Sequence, residues 1–439
     1  MKVNKNFSFQ GHSYSSLCDD SVQASEDLNS LFVRTTMNQK YHDSVAHLPS
    51  IDESELKNFF TLSPKIVGIT GTNGKTTTAS LIDHSLRKLG YKVALLGTRG
   101  FFINGERKQP KGLTTPTILE LYSYIEEAKE CDFFVMEVSS HAIVQNRILG
   151  LDFTLKALTN ITSDHLDYHK DLQEYQRVKN SFFDGSCMQI VNADEPNAHI
   201  LTPYVDYSLN KRASLYSLAY SISPMIEAHI STQGESAELK SPMCGKHNLY
   251  NLLCSIASIQ SLINAPLSQI VQSLEDFEGV EGRMQIVSKR PLIIVDFAHT
   301  HDGIEKILES FEGKKISVLF GAGGDRDRSK RPKMGQVVQK YAQKIYITSD
   351  NPRSENPQDI ILEILSGMEQ NPSIRSINPI REQAIEQAIK EQEEDEILFV
   401  LGKGDETYQI IGHQKIHFDD REVIASVLKS QEKRNSNDI

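Results

Sequence analysis

Apolar residues fall in short runs along most of the chain, separated by longer segments with helical periodicity. From residue 64 the runs are regular. "KIVGIT" reads as a buried strand, and a helix is expected from Thr76 to Leu89. "KVALLG" is the next strand, and Pro116 suits the first turn of a further helix. "DFFVMEVS" and "ALTNI" continue the series. This βαβ alternation predicts a mostly parallel sheet. "AHISTQGESAELKS" is more polar and predicts an antiparallel edge, and "KHNLYNLLCSIASIQSLI" predicts a helix. A second α/β series begins near residue 286, with strands at "PLIIVDF", "KISVLFGA", "KIYITSD" and "EILFVLG". Residues before 64 are mixed and polar, with one clear strand at "SLFVRT". The expected architecture is α/β in three domains: a small N-terminal α/β domain (1–63), a central domain with a mostly parallel sheet (64–285) and a C-terminal Rossmann-like domain (286–439).

Composition narrows the class. A chain of 439 residues with 39% hydrophobic and 24% charged residues is an ordinary globular protein of two to three domains. Its net charge of −11 argues against a general nucleic-acid or membrane-surface binder. The opening "MKVNKNFSFQGHSYS" lacks the apolar core of a secretory leader, and no run approaches a membrane span. A cytoplasmic location is therefore expected. Five scattered cysteines lack metal-ligand spacing and are expected to be mostly buried free thiols. "NIT" at Asn160 fits a glycosylation pattern by chance on this reading. "KEQEEDE" near residue 390 reads as a solvated helix end.

The chemistry starts at "VGITGTNGKTTTAS", which joins a buried strand to a helix. Gly71 and Gly74 let the backbone curl so that N–H groups, including those of Thr72, Asn73 and Thr77, can face an anion. Lys75 can reach outer phosphates and Thr76 can offer a hydroxyl to Mg²⁺. Ile69 occupies the first glycine position of the usual phosphate-loop pattern, but the ending G-K-T and its strand–loop–helix setting remain. Nucleotide binding is the expectation; a glycine-rich turn capping a helix is the plainer alternative.

At "GTNGKTTT" the chain resembles the Mur ligase family, and the resemblance runs collinearly from about residue 64 to the end. Glu137 closes "FVMEVSSHAIVQNR" at the carboxyl end of a buried strand, a plausible Mg²⁺ ligand beside the phosphate loop or a strand-end acid facing water. His165 and His169 in "TSDHLDYH" have the i, i+4 spacing of a zinc protease, but Leu166 stands where that chemistry needs glutamate. The resemblance assigns His165 to a second Mg²⁺ and Lys179, in "YQRVKN", to a carbamylated (N6-carboxylysine) metal ligand. Without it, Lys179 would read as a surface lysine on a helix.

Thr114 and Thr115 in "GLTTPTILEL" suit an anion at a helix start, or a simple N-cap. The resemblance gives them, with Ser139, Gln145 and Arg147, to a UDP-muramoyl dipeptide. It also aligns Ser21, in the departing N-terminal region, with a uridine contact. The resemblance also implies that His247 and Asn251 in "GKHNLYN", Arg283 in "EGRMQ", Asp296 in "VDFAHT" and Lys330 lie around ATP. Lys75, Lys179 and Arg283 are the expected catalytic groups.

"GAGGDRDRSKRPKMG" packs its cations from Arg326 to Lys333, a run most simply read as a solvated loop. The resemblance points Arg326 at an incoming amino acid, together with Asp350, Asn351, Pro352 and Arg353 of "SDNPRSENP" and Gly402 and Glu406 of "LGKGDETYQ". "DNPR" implies meso-diaminopimelate rather than lysine, because the second carboxylate of that amino acid needs a cation such as Arg353. The implied activity is an ATP- and Mg²⁺-dependent amide ligase acting on UDP-MurNAc-L-Ala-D-Glu in peptidoglycan precursor synthesis, expected as a monomer without nucleic-acid or membrane partners. A folylpolyglutamate synthetase shares the loop but not "DNPR" or "LTTP". A guanine-nucleotide switch would need N-K-x-D, and "NKRA" lacks the aspartate.

Overall fold

The computed structural model describes residues 1–162, 168–199, 201–369 and 373–437. Two compact units emerge, the first formed by residues 1–220, 228–239 and 250–275, the second by 221–227, 240–249 and 276–439.

The first unit opens with a four-stranded sheet of β1 (Lys2–Phe9), β2 (His12–Cys18), β3 (Ser30–Arg34) and β4 (Ser50–Asp52), with α1 (Ser21–Glu26) between β2 and β3. Sequence reasoning found only β3. β1 and β4 are edge strands, β4 of three residues, and β1 alternates exposed with half-buried residues; β2, HSYSSLC, carries too little apolar signal to stand out. Tyr14, Leu17, Leu31, Val33 and Ile51 join the same core as Ile66, Tyr122 and Phe134.

Twelve strands form the large sheet. In chain order they are β5 (Lys65–Thr70), β6 (Val93–Gly97), β7 (Gly100–Ile103), β8 (Glu106–Gln109), β9 (Phe133–Glu137), β10 (Phe153–Leu158), β11 (Met188–Asn192), β12 (Tyr204–Ser208), β13 (Leu215–Tyr216), β14 (Tyr220–Ser221), β15 (Ile226–Thr232) and β16 (Ser236–Ser241). Strands β12, β11, β10, β5, β9 and β6 lie side by side and parallel. The chain passes from β5 to β6 over β9, so the strand order reverses beside β5, the position where such sheets open a crevice at their carboxyl ends. β13 meets β15 antiparallel, and β16 pairs with β15 at the polar edge expected from the sequence.

The helices linked to this sheet are α2 (Lys75–Lys88), α3 (Ile118–Glu127), α4 (Ser140–Val144), α5 (Leu172–Ser181), α6 (Lys246–Leu262) and α7 (Leu267–Gln272). Pro116 does not lie in the first turn of α3: the helix begins at Ile118 and is capped by the hydroxyl of Thr117, which accepts from the Glu120 N–H. Thr114 and Thr115 are thereby released from a capping role.

The second unit is built on a sheet of order β17-β18-β22-β19-β20-β21. Its strands are β17 (Gln285–Lys289), β18 (Leu292–Asp296), β19 (Lys315–Phe320), β20 (Lys344–Ile347), β21 (Ile374–Ile377) and β22 (Glu396–Leu401). Only β17 is antiparallel. Continuous burial of β22 explains its unbroken apolar run. The helices are α8 (His301–Glu309), α9 (Lys330–Tyr341), α10 (Pro357–Leu365), α11 (Arg381–Lys390) and α12 (Asp420–Asn437), and a hairpin of β23 (Tyr408–Ile411) and β24 (Gln414–His417) follows β22. Glu396, expected in a solvated helix end, instead opens β22 almost wholly buried, with the Lys344 ammonium 2.9 Å away. Four of the five cysteines are buried, Cys187 is half-buried, and all are free thiols.

Candidate active site

Two clusters of predicted site residues form, one in each unit, and both lie at the carboxyl ends of parallel strands. In the first unit the loop after β5 is held from both sides. Gly71 has φ +148°, and a Cβ there would sit 1.9 Å from Thr159 Oγ1, so only glycine fits. Gly74 has φ +86° and precedes α2; its Cβ would lie 2.2 Å from Asn251 Oδ1. Loop and Asn251, 177 positions apart in the chain by subtraction (251 − 74), are thus in contact. The N–H groups of Thr72 and Asn73, expected to face an anion, are turned instead to Asn160, to its carbonyl at 2.9 Å and its Oδ1 at 3.0 Å, and the Asn73 carbonyl accepts from Thr159 Oγ1 at 2.6 Å. Thr72 shares a hydroxyl hydrogen bond of 2.9 Å with Tyr175. Lys75 Nζ bridges the Gly71 and Thr72 carbonyls at 2.7 and 2.9 Å, across its own loop. Thr77 is buried in the first turn of α2.

Glu137 ends β9, 2% exposed. Thr76 donates its hydroxyl to Glu137 Oε2 at 3.0 Å. Thr98, just past β6, gives Glu137 its N–H (2.9 Å to Oε1) and its hydroxyl (3.2 Å to Oε2). A Cβ on Gly97 would stand 2.1 Å from Glu137 Oε1. An alcohol and a buried carboxylate, both hard oxygen donors, make a set that fits Mg²⁺. His165 lies outside the described residues. Among those described, no group of three or more His, Cys, Asp or Glu could by itself hold a metal ion.

Lys179 is not on the surface. It lies in the last turn of α5, 1% exposed, with Nζ donating to the Gly71 carbonyl at 2.9 Å and 4.9 Å from the Tyr175 ring centroid. The amphipathic period of α5 turns this lysine inward against the phosphate loop. His169 is also buried and shares a 3.0 Å hydrogen bond with Ser140 Oγ.

The predicted dipeptide residues meet beside Glu137. Thr114 Oγ1 is 3.1 Å from Thr98 Oγ1. Thr115 Oγ1 donates to the Glu137 carbonyl at 2.9 Å and accepts from the Ser139 N–H at 3.1 Å. Ser139 caps α4. Arg147 is buried: Nε donates to Gln145 Oε1 at 2.9 Å and Nη1 to the Thr115 carbonyl at 2.6 Å. Burial pushes its guanidinium below the usual arginine range. Ser21 is half-buried at the start of α1, between β2 and β3 of the N-terminal sheet in the same unit.

In the second unit Asp296 ends β18, accepting from the N–H groups of Met284 (2.7 Å) and Ala298 (2.6 Å). Burial raises its carboxyl above the ordinary range, opposed by the charge of Arg283 and these N–H bonds. Arg283 lies 4.4 Å over the Phe297 ring. The Nδ1 of His247 is buried without a hydrogen-bond partner, and its imidazole is pushed down to about 4 by burial and then by the charge of Lys306. Lys330 opens α9, half-buried.

The amino-acid candidates converge where β20 and β22 end. Asn351 Nδ2 donates to Glu406 Oε2 at 2.8 Å. A Cβ on Gly402 would lie 2.6 Å from Asp350 Oδ2, and one on Gly324 would lie 1.8 Å from the Pro352 carbonyl oxygen. A Cβ on Gly323 would be 3.0 Å from Arg353 Nη1 and 3.7 Å from Arg326 Cγ, which brings both arginines to one spot. Arg353 has φ +54°, an unusual backbone for arginine, fixed by its N–H on the Ile410 carbonyl (3.0 Å) and its carbonyl accepting from Gly412 N–H (2.7 Å). Its Nη1 donates to the Gly324 carbonyl at 2.7 Å. The cation-rich stretch is not wholly a solvated loop: Arg331, 1% exposed, is clamped by Glu355 (2.8 Å) and Glu363 (2.7 Å).

Sequence reasoning missed Thr98, Asn160, Lys403 and Arg381. Lys403 is wholly buried and reaches Glu406 Oε2 at 3.2 Å. Arg381 forms a fully buried pair with Asp420 at 2.7 Å and donates to the Leu401 carbonyl at 3.0 Å, at the end of β22. "LGKGDE" carried a lysine beside the chosen glycine and glutamate; nothing local marked the other three.

Comparisons with known proteins bear on the family. The Mur ligase middle domain family matches residues 69–259, and the Mur ligase glutamate ligase domain family matches 282–404. The UDP-N-acetylmuramoyl-L-alanyl-D-glutamate--2,6-diaminopimelate ligase of Helicobacter hepaticus is 49% identical over 98% of this chain and 100% of its own. The ligase of the same name from Wolinella succinogenes is 55% identical over 86% of this chain and 88% of its own. A solved structure of a ligase with that name superposes with a TM-score of 0.68 at 25% identity, covering 95% of both chains. The UDP-N-acetylmuramate-alanine ligase of Thermotoga maritima shares the fold, with a TM-score of 0.58 at 18% identity over 92% of this chain and 85% of its own. With its phosphate loop, its strand-end clusters and these relatives together, the chain belongs to the Mur ligase family.

Proposed function

We propose that this protein is the ATP-dependent amide ligase that joins meso-2,6-diaminopimelate to UDP-MurNAc-L-Ala-D-Glu, in the cytoplasm, during peptidoglycan precursor synthesis. Near-full-length identity of 49% to a ligase of that name supports the reading. The observation that carries the choice of amino acid is the cluster of Asn351, Arg353 and Glu406 beyond the strand ends. Diaminopimelate ends in both an ammonium and a carboxylate; Glu406 suits the first and Arg353 the second.

Carboxylates do not condense with amines directly, because an oxide leaving group is too poor. The D-glutamate carboxylate therefore takes the terminal phosphoryl group of ATP, releasing ADP. The diaminopimelate amine attacks the acyl phosphate carbon, loses a proton, and the tetrahedral intermediate expels phosphate. Lys75 and the first-turn N–H groups of α2 are assigned to phosphate charge, and so are Arg283 and Lys330. Thr114, Thr115, Ser139, Gln145 and Arg147 orient the dipeptide end. Asn251, His247 and Asp296 are assigned to the nucleotide. Thr76, Glu137, His165 and a carbamylated Lys179 would hold Mg²⁺, which when bound neutralises the phosphates. Addition of CO₂ would turn the buried Lys179 ammonium, after loss of a proton, into an acid suited to that ligand set.

The test is phosphate release by the purified protein with ATP, Mg²⁺ and UDP-MurNAc-L-Ala-D-Glu, with meso-diaminopimelate or L-lysine added. Release dependent on diaminopimelate is expected. Release with neither amino acid refutes the ligase reading, and preference for lysine removes the role of Arg353.

A further inference from the structure

Lys403 has no place in the chemistry outlined above, yet its ammonium is 0% exposed beside a residue assigned to the amino acid. Taking a lysine ammonium out of water costs several kcal/mol unless its hydrogens are satisfied. Three groups meet it. Nζ donates to Glu406 Oε2 at 3.2 Å and to the Tyr408 carbonyl at 2.5 Å, and it lies 5.6 Å from the centroid of the Tyr408 ring. The same Oε2 receives Asn351 Nδ2 at 2.8 Å. Among the described residues the other carboxylate oxygen, Oε1, has only the Tyr408 hydroxyl, at a long 3.4 Å.

The two oxygens of Glu406 are therefore unequal. Oε2 accepts from a buried cation and an amide, while Oε1 is held weakly. A glutamate on a loop has three rotatable bonds and would otherwise sample many orientations. Two strong donors on one oxygen fix the carboxylate plane and leave the second oxygen to meet an incoming donor. The lysine ammonium can do this because its stem starts one residue after Gly402, whose N–H is tied to the Asp296 carbonyl at 3.0 Å. Gly402 itself, at φ +113°, packs against Asp350. Lys403 thus rises from a fixed strand end, not from a mobile tip.

We propose that Lys403 is a positioning residue for amino-acid selection: it pins Glu406 Oε2 so that Oε1 accepts the ammonium at the far end of the amino-acid substrate. The inference rests on the proposed ligase function and extends it to a residue that touches no substrate. It also fixes a division of labour, with Asn351 and Lys403 holding the carboxylate and Glu406 making the contact.

The experiment uses the full-length enzyme and phosphate release, with Lys403→Met, Lys403→Arg, Glu406→Gln and the double variant Lys403→Met/Glu406→Gln. Lys403→Met is expected to raise KM for meso-diaminopimelate about 10-fold or more, the range of one charge-assisted hydrogen bond. KM for ATP and for UDP-MurNAc-L-Ala-D-Glu should stay within about 2-fold, because the affected oxygen meets neither. Lys403→Arg should recover part of the loss. In the Glu406→Gln background the Lys403→Met effect should largely vanish, since there is no carboxylate left to orient. An unchanged diaminopimelate KM, an equal rise in all three KM values, or the full effect persisting beside Glu406→Gln overturns the proposal. Should Lys403→Met melt before assay, Lys403→Gln, which keeps a donor without the charge, answers the same comparison. Wild-type enzyme inactive with every amino acid defeats the ligase reading itself; active wild type with a wild-type-like Lys403→Met defeats only this inference.

Discussion

Thr98 grips Glu137 twice, through its N–H on one carboxylate oxygen at 2.9 Å and its hydroxyl on the other at 3.2 Å. The carboxylate proposed to hold Mg²⁺ is thus aimed by the strand end next to its own. Outer contacts of this kind typically contribute about 10–100-fold in metal affinity or activity. Thr98→Val keeps the N–H bond and loses the hydroxyl. It should raise the Mg²⁺ concentration for half-maximal phosphate release about 10-fold and leave KM for diaminopimelate unchanged. Gly97→Ala should be worse, because its new Cβ would stand 2.1 Å from Glu137 Oε1. Titration of Mg²⁺ against activity checks both.

Arg353 combines a side chain proposed to meet diaminopimelate with a costly backbone. At φ +54° a non-glycine residue is strained by roughly 1 kcal/mol. Arg353→Ala should raise KM for diaminopimelate about 10–100-fold, the scale of a lost charged pair, with KM for ATP unchanged. Arg353→Gly should lose affinity equally but melt higher than Arg353→Ala. Equal losses for ATP and diaminopimelate would assign Arg353 to folding alone.

The Arg381–Asp420 pair is sealed from solvent and ties α11 to the start of α12. Removing one partner strands a buried charge, which costs about 3–5 kcal/mol. Arg381→Met should lower the unfolding free energy of the second unit by that amount in urea titration. Replacing both partners together, Arg381→Met with Asp420→Leu, should recover most of it.

His247 should stay neutral through the physiological range, since burial and the charge of Lys306 hold its imidazole at about 4. A histidine of folded pKa about 4 and unfolded pKa about 6.5 binds fewer protons folded than unfolded between those values. Stability is therefore unaffected by this group above pH 6.5 and falls as pH drops from about 6.5 towards 4. His247→Asn should flatten the pH dependence in that window, measured by urea unfolding. An imidazole NMR resonance titrating near 6.5 in the folded protein would contradict the assignment.

What was legible in the sequence is what is local. Gly71, Gly74, Lys75 and Thr76 lie within six residues and carry their geometry in their own chemistry. Glu137 could be placed because an apolar strand ended on it. Thr98 and Asn160 could not, because their roles come from β6 and β10 flanking β9 and β5, a strand order that no local pattern encodes. Asn160 illustrates this well: its side chain reads as a chance glycosylation pattern, yet it holds the Asn73 N–H. Lys179 looked like a surface residue because a single helical lysine gives no sign of which face is packed. The unusual backbone of Arg353 was invisible for a similar reason, being set by Ile410 and Gly412 more than fifty residues downstream. The N-terminal strands escaped because a small sheet with one wetted face has few apolar positions to display.

One contact in the second unit bears on how such an enzyme could change its choice of amino acid. A Cβ on Gly282 would stand 2.0 Å from the Asp405 nitrogen, and one on Gly404 would stand 2.7 Å from the Gly282 carbonyl oxygen. Main chain therefore meets main chain between the residue before Arg283 and the residues before Glu406. Backbone thus fixes the spacing between Arg283 and Glu406, while the selection proposed above falls to the side chains of Asn351, Arg353 and Glu406. On the proposed function, a different amino acid would be accommodated by exchanging those side chains, with Arg283, proposed to meet the phosphate, left standing where it was.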